Sequence, residues 1–255
     1  MKRTIIIGVT ILSLLLLSAC SQIPGKNILP VFVSPVNSRI PIGSAPQSDS
    51  TPTIKASSDW ELGQVSLFTW TNSIGSEWIQ ASVPVKNISD HNLYLESGSF
   101  DYEDSTGHLV DTRTMVSGYP QVLAPGETGV YYESTTFTGA KSVASMVPHV
   151  KIKDAKIDLV RYDVLDVSLK EDMMGLTVTG RVQNNTSETG SMVYVVINLY
   201  DNGDNLVAQV MSILPDKLNP GDLVGFSASE LGGRMDVASQ IATYEAFAFP
   251  YEFQW

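Results

Sequence analysis

Apolar and polar residues alternate along short segments of the chain from Trp60 onward. Residues 78–87, WIQASVPVKN, have apolar side chains at every second position, and residues 176–184, LTVTGRVQN, repeat the pattern. A period of two with one apolar face is typical of a half-buried β-strand. No long stretch has a helical apolar period, although SSDWELGQ (57–64) and GGRMDVASQ (232–240) are compatible with short helical turns. The pattern therefore predicts an all-β body.

The two alternating segments belong to a longer duplication, in which Asn87 corresponds to Asn184, 97 positions later. With the same offset FDYED (100–104) aligns with INLYD (197–201). After two residues drop out, LAPGE (123–127) aligns with LNPGD (218–222). A repeat of about 95 residues suits one antiparallel sandwich of about seven strands. The sequence therefore predicts two tandem immunoglobulin-like β-sandwich domains, residues 58–154 and 155–255.

The duplicated motifs resemble the FxLYD domain of bacterial surface proteins. The second copy has Ile197, Leu199, Tyr200 and Asp201 at the motif positions and departs at the first. The first copy keeps Phe100 and Asp104 and departs at the third and fourth positions. The resemblance implies an immunoglobulin-like sandwich outside the cell, often attached to the membrane, and it implies no catalytic residues.

The N-terminus has the features of an export signal. Lys2 and Arg3 precede an apolar run from Ile5 to Leu17, which ends in LSAC. LSAC resembles the bacterial lipobox, whose cysteine is lipidated and becomes the mature N-terminus. We therefore expect residues 1–19 to be a lipoprotein signal peptide and Cys20 to be the lipid attachment site. Cys20 is also the only cysteine, which excludes an internal disulfide.

Residues 20–57 differ in composition from the rest of the chain. Six prolines interrupt this segment, and serine, asparagine, glycine and threonine fill much of the remainder. Repeated proline opposes both helix and sheet pairing. We expect a flexible tether between the lipid and the β domains, within which ILPVFV (28–33) is more apolar than a linker requires.

The charge balance excludes some partners. The chain has 16 basic and 27 acidic residues, and loss of Lys2 and Arg3 with the signal peptide raises the excess of acidic residues. Binding to nucleic acid or to anionic lipid rests on positive charge. We therefore expect no nucleic-acid partner and a membrane contact made through the N-terminal lipid.

The segment YDNGDN (200–205) has the composition of a calcium loop, but it is the second copy of YEDSTG (102–107). Asp, Asn and Gly are the residues that tight turns between strands require. Gly203 stands where the third-position calcium ligand should be, and no glutamate closes the loop. We predict a hairpin turn, with a calcium site as the alternative.

Asn87 and Asn184 begin glycosylation sequons, but each ends a strand, which favours a side-chain-to-backbone hydrogen bond.

Catalytic motifs are not found in the sequence. His91, His108 and His149 lack metal-ligand spacing, and no nucleophile elbow or phosphate-binding loop occurs. A glycoside hydrolase would need two carboxylates in one cleft. The candidates lie near expected strand ends: Asp101, Glu103, Asp104, Glu171 and Asp172. We predict no enzyme activity, no cofactor and no metal.

An aromatic insertion distinguishes the first copy from the second. The first copy carries five extra residues within FTWTNSIGSEW (68–78), and Phe68, Trp70 and Trp78 there have the parity that points away from the core. These three aromatics are the candidate surface for a ligand or partner, either an envelope protein or a glycan. The alternative is that they cover the junction between the domains, and the aromatic tail YEFQW (251–255) poses the same choice.

The sequence thus predicts a non-catalytic lipoprotein on the extracytoplasmic face of the cell membrane, acting as a binding or interaction module of the cell envelope. A structural or accessory lipoprotein of a membrane complex is the alternative, and a cell-envelope hydrolase is a third class.

Overall fold

The computed structural model describes residues 57–172, 175–230, 234 and 237–251. Over these residues the protein is all-β, as predicted, with one short turn of 3-10 helix at Ala140–Ser142. The strands in chain order are β1 (Trp60–Leu62), β2 (Ser66–Thr71), β3 (Glu77–Asn87), β4 (Leu93–Asp104), β5 (Leu109–Val116), β6 (Gly118–Tyr119), β7 (Val122–Leu123), β8 (Thr128–Thr136), β9 (Val143–Asp154), β10 (Asp163–Asp172), β11 (Gly175–Gln183), β12 (Val193–Tyr200), β13 (Leu206–Ile213), β14 (Leu223–Ser229) and β15 (Thr243–Pro250).

Two antiparallel sheets form from residues 58–154, here called repeat one. In the first sheet β3 pairs with β8 on one side and with β1 and β2 on the other, and β8 also pairs with β6. In the second sheet β4 pairs with β9 on one side and, at different positions along its length, with β5 and β7 on the other. Alternate apolar residues of β3 and β4 pack against each other between the two sheets. The apolar positions of the alternating pattern thus form the core of repeat one.

Residues 155–255, here called repeat two, use the same pairings with fewer strands. One sheet has the order β10-β11-β14 and the other the order β13-β12-β15. Strand β11 pairs as β3 does, β12 pairs as β4 does, and Leu169 opposite Val178 reproduces Leu67 opposite Ala81. The sheet arrangement of the duplicated region therefore follows the sequence repeat.

Equivalent asparagines make the duplication visible at atomic detail. Asn87 and Asn184 are both fully buried at the end of the third and the eleventh strand. In each, the side-chain amide donates to two backbone carbonyls, and the side-chain oxygen accepts from a backbone N–H and a hydroxyl. The partners are His91, Leu123 and Ser89 for Asn87, and Glu188, Leu218 and Thr186 for Asn184. These bonds explain both sequon asparagines without a glycan.

Two apolar clusters lie between the sheets. One draws on repeat one, with Ile79, Val83 and Phe100 fully buried, and the other on repeat two, with Leu176 and Ile197 fully buried. A third, smaller cluster joins Tyr119 of repeat one to Val196 and Phe249 of repeat two. The repeats therefore have separate cores and a shared contact.

Two local predictions fail. Residues 60–62, expected in a helical turn, form strand β1 because they pair with residues 85–87. The outer face of β3 is also buried at two polar positions, where Gln80 and Ser82 are each 1% exposed. Pattern alone shows which face is apolar, whereas burial of the polar face requires a neighbour that the pattern does not reveal.

Four expectations lie outside the described residues: the signal peptide, the lipid site Cys20, the tether up to residue 56 and the aromatic tail beyond Tyr251. Within the described part of the chain, no helix has the length and apolar character needed to cross a bilayer.

The β2–β3 hairpin and the junction between repeats

The insertion of repeat one lengthens the β2–β3 hairpin. Leu67 and Ala81 are paired 14 positions apart, whereas their equivalents Leu169 and Val178 are paired 9 positions apart, a difference of five residues. Residues 72–76 form the turn, closed by a bond from the N–H of Asn72 to the carbonyl of Ser76. The side-chain oxygen of Asn72 also accepts from the N–H groups of Ile74 (3.2 Å) and Ser76 (2.9 Å). Asn72 thus supports a defined tip.

Trp70 and Trp78 face each other near the end of this hairpin. They are paired across the two strands, and their rings stack with centroids 5.8 Å apart and an interplanar angle of 17°. Both tryptophans are half-buried. At the tip, Ile74 is 84% exposed, an unusual position for a β-branched apolar side chain. The hairpin therefore presents an apolar tip backed by a stacked pair.

Phe68 lies lower on the hairpin and faces repeat two. The guanidinium of Arg234 stands 4.7 Å from the centroid of the Phe68 ring. Arg234 is itself 7% exposed and donates to the carbonyl of Val207, 3.2 Å away. A cation over an aromatic face in a desolvated site is attractive. Of the three aromatics predicted as one surface, Phe68 thus belongs in part to the junction.

Polar side chains cover the same face of β3 below the tryptophans. Gln80 donates to the Val207 carbonyl at 2.8 Å, which accounts for its burial. Other polar atoms on this face are buried without a hydrogen-bond partner among the described residues: Trp78 Nε1, Gln80 Oε1 and Ser82 Oγ. Burial, and secondarily the carboxylate of Glu230, raises the pKa of Tyr132 on the neighbouring strand. The junction is a polar contact as well as an aromatic one.

The second contact between repeats centres on Arg161. Its guanidinium donates to the carbonyl of Val122 (2.6 Å) and to Glu127 Oε2 (3.1 Å). It also lies 5.9 Å from the ring centroid of Phe247 and 5.6 Å from that of Phe249. The connector that carries Arg161 is therefore bonded to repeat one and packed on repeat two.

The YDNGDN segment is organised as a turn by its own first aspartate. Asp201 Oδ1 accepts from the N–H groups of Gly203 (2.8 Å) and Asn205 (2.9 Å). Burial opposes ionisation, but the bonds from Asn205 and Gly203 hold the pKa of Asp201 below its ordinary value. Asp104 does the same in repeat one, accepting from Thr106 and His108. The residues thus satisfy the turn interpretation, and the described part of the chain contains no cluster of three or more potential metal ligands.

Among the candidate carboxylates, Asp101, Glu103 and Asp104 accept hydrogen bonds from neighbouring residues. Asp101 accepts from Thr112 Oγ1 at 2.7 Å and contacts His149 Nε2 at 2.9 Å, and Glu103 contacts Ser145. The hydrogen bonds from Thr112 and, less strongly, from His149 lower the pKa of Asp101. A general acid in a glycoside hydrolase needs a carboxyl group with a raised pKa. Glu171 lies in repeat two, on β10, and the side chain of Asp172 is outside the described residues.

Comparisons with known proteins do not name a family. No family model matches the chain, and no curated protein matches it. Among solved structures, a transglutaminase from red sea bream is similar over 66% of this chain and 27% of its own, at 12% identity and a TM-score of 0.23. This chain thus spans about a quarter of that protein's length. A likeness at this TM-score carries no inference about fold or activity.

Proposed function

We propose that this protein is a non-catalytic, membrane-anchored lipoprotein that acts as a binding module of the cell envelope, and that the β2–β3 hairpin makes the contact. The observation that carries the proposal is Ile74, 84% exposed, on a hairpin five residues longer than its counterpart. Behind it stand the stacked Trp70 and Trp78. Large aromatic anchors with an apolar neighbour are typical of the centres of binding interfaces.

The proposal includes a lipid on Cys20 and a body made of two FxLYD-like sandwiches. It rests on LSAC after a charged start and an apolar run, and on the repeated motifs and hydrogen bonds of Asn87 and Asn184. The expected partner is an envelope protein or a glycan. Threonine and asparagine near the tryptophans supply hydrogen bonds for either.

A structural or accessory role in a membrane complex is the second candidate. The burial of Gln80 and the Phe68–Arg234 contact favour it, because they use part of the aromatic face to hold the repeats together. In that case the hairpin would serve the fold, and its tip would be replaceable without loss of association.

Cross-linking in intact envelopes separates the two candidates. Tagged full-length protein is cross-linked in cells, solubilised and purified with its partner. Under the binding proposal, Ile74→Asp and the double variant Trp70→Ala with Trp78→Ala lower the recovered partner by at least about tenfold, the scale of a central anchor. The control is Ile88→Asp, because Ile88 is 46% exposed on another loop of repeat one. Equal recovery from all variants would reject the hairpin as the binding surface.

A further inference from the structure

The outer face of repeat two carries exposed apolar side chains beside strand β13. Met192, Met211 and Ile213 are 53%, 42% and 46% exposed. They adjoin Tyr194, which is paired with Ile213 and stacked on Tyr251 with ring centroids 4.7 Å apart. This face continues into the cluster where Tyr119 of repeat one packs on Phe249. Repeat one thus covers one end of an apolar surface, and the other end remains exposed.

Strand β13 is also an edge of its sheet, and its second half is uncovered. Within the described residues it pairs only with β12, and LVAQVMSI contains no charge and no proline. The bond from the Leu214 N–H to the Val193 carbonyl fixes the alternation, so the backbone groups of residues 207, 209, 211 and 213 point away from β12. Gln80 and Arg234 already bind the Val207 carbonyl, and Tyr132 bonds to the backbone of Gln209, so Met211 and Ile213 are the positions at which a strand can add. Natural proteins usually blunt such edges, and an extended segment can add to them.

An apolar segment of suitable character precedes the described residues. ILPVFV (28–33) carries no charge, which matches a charge-free edge, and it is separated by 34–56 from the first described residue, Ser57. Pro30 lacks an N–H, but an added outer strand has one side in solvent, where proline is tolerated.

The start of the described chain is connected to β13 through a series of contacts. A continuous path of neighbours leads from the first strand to β13: Trp60 paired with Asn87, Asn87 bonded to Glu127, Glu127 to Arg161, Arg161 against Phe249, Phe249 against Tyr194, and Tyr194 paired with Ile213. Three of the six steps join residues paired on neighbouring strands, so the path shows that the start of the described chain and β13 belong to one connected body. The 23 residues of 34–56 span up to about 76 Å when extended, which is long enough to cross that body to β13.

We propose that residues 28–33 dock on the free edge of β13 at Met211 and Ile213, with their apolar side chains against those of these two residues. The covalent connection supplies an effective concentration of about 1 mM. A contact with an intrinsic dissociation constant of only about 0.1 mM is then roughly nine-tenths formed, so the amides slow about tenfold in hydrogen exchange.

Hydrogen exchange followed by mass spectrometry tests the proposal on the full-length lipidated protein in detergent micelles. Each exchange rate is divided by the rate of the same peptide in the unfolded chain. Residues 28–33 should exchange about tenfold more slowly than 34–56 on this scale. Ile213→Asp should abolish the difference, whereas Met115→Asp should not. Met115, 79% exposed on the equivalent edge β5, is the matched control.

The reciprocal variant leaves the body unchanged. Val31→Asp with Phe32→Asp should accelerate exchange at the Met211 and Ile213 amides by about tenfold, whereas Ile40→Asp with Ile42→Asp should not. The proposal is overturned if 28–33 exchange as fast as 34–56, or if neither variant changes the rates. Protection that grows with protein concentration would assign the surface to a second copy. Protection seen only in intact envelopes would assign it to a partner. Either result overturns docking of the tether.

Discussion

Asn87 and Asn184 show how much one residue can determine in this protein. Each buried amide uses both its donor and its acceptor to bind a strand end to two loops. A buried polar group costs free energy unless it is bonded, so the full set of partners explains why asparagine occupies both positions. Neither residue needs a ligand or a modification to account for it.

Asn184→Ala should lower the free energy of unfolding by about 2–4 kcal/mol, because it leaves two carbonyls and an N–H without their partner. Asn87→Ala should have a cost of the same size. Asn185→Ala is the control, since the Asn185 side chain is exposed and donates to Asp163 Oδ2 on the surface; it should cost less than about 0.5 kcal/mol. Chemical denaturation measures all three. A loss below about 1 kcal/mol at Asn184 would contradict this account of the loop.

His91 gives the protein a predictable pH dependence. The carboxylates of Asp90 and Asp154, which contact its two ring nitrogens, raise the pKa of His91 above 6.5. A raised folded-state pKa stabilises the native state below pH 6.5, and this contribution is lost as pH rises through the folded-state value. His91→Gln should remove that part of the slope of unfolding free energy against pH, and Asp154→Asn should reduce it. An unchanged slope in both variants would show that the contact does not form in solution.

At the scale of strands, the alternating pattern of the sequence predicted the core faces of β3 and β11 but not their outer faces. Both strands read as half-buried, yet Gln80 is 1% exposed and its counterpart Thr177 is half-buried. The difference arises because repeat two covers β3, and no local pattern records such a contact. The five-residue insertion was visible in sequence, because counting between matched leucines requires only the repeat.

The β2–β3 hairpin should tolerate shortening. Replacing residues 71–77 by Asn-Gly gives a two-residue connection of the length found between Asp172 and Gly175. The stacked Trp70 and Trp78 remain, so the free energy of unfolding should change by less than about 1 kcal/mol. Partner recovery from envelopes should fall at least about tenfold because the Ile74 tip is gone. Full recovery with this variant would place the binding surface elsewhere.

At the scale of the molecule, the repeats meet through two different contacts. Gln80 and Phe68 face Val207 and Arg234 on one side, and Arg161 connects both repeats on the other. The pairing of the strands within each repeat was predictable from the duplication, whereas the junction was not, because its partners are far apart in sequence and no motif connects them. The polar character of the junction explains the mixture of glutamine, serine and aromatics on one strand face.

Gln80→Ala should lower the free energy of unfolding by about 1–3 kcal/mol, because it removes the bond to Val207 and leaves a small void. Thr177→Ala, at the equivalent position of repeat two, should cost less than about 0.5 kcal/mol. Thermal unfolding of the pair, with equal protein concentrations, measures the difference. Equal losses at both positions would contradict a junction that buries only the face of repeat one.

The most direct test of the central claim is site-specific photo-cross-linking in intact envelopes, with a photoreactive residue placed at Ile74 of the full-length protein. Ile74 lies at the hairpin tip, and Met115 is similarly exposed on another edge of the same repeat. A binding module that uses the hairpin predicts one discrete cross-linked product from position 74 and none of that mass from position 115. The same product from both positions, or none from position 74, would contradict the assignment of the hairpin as the binding surface.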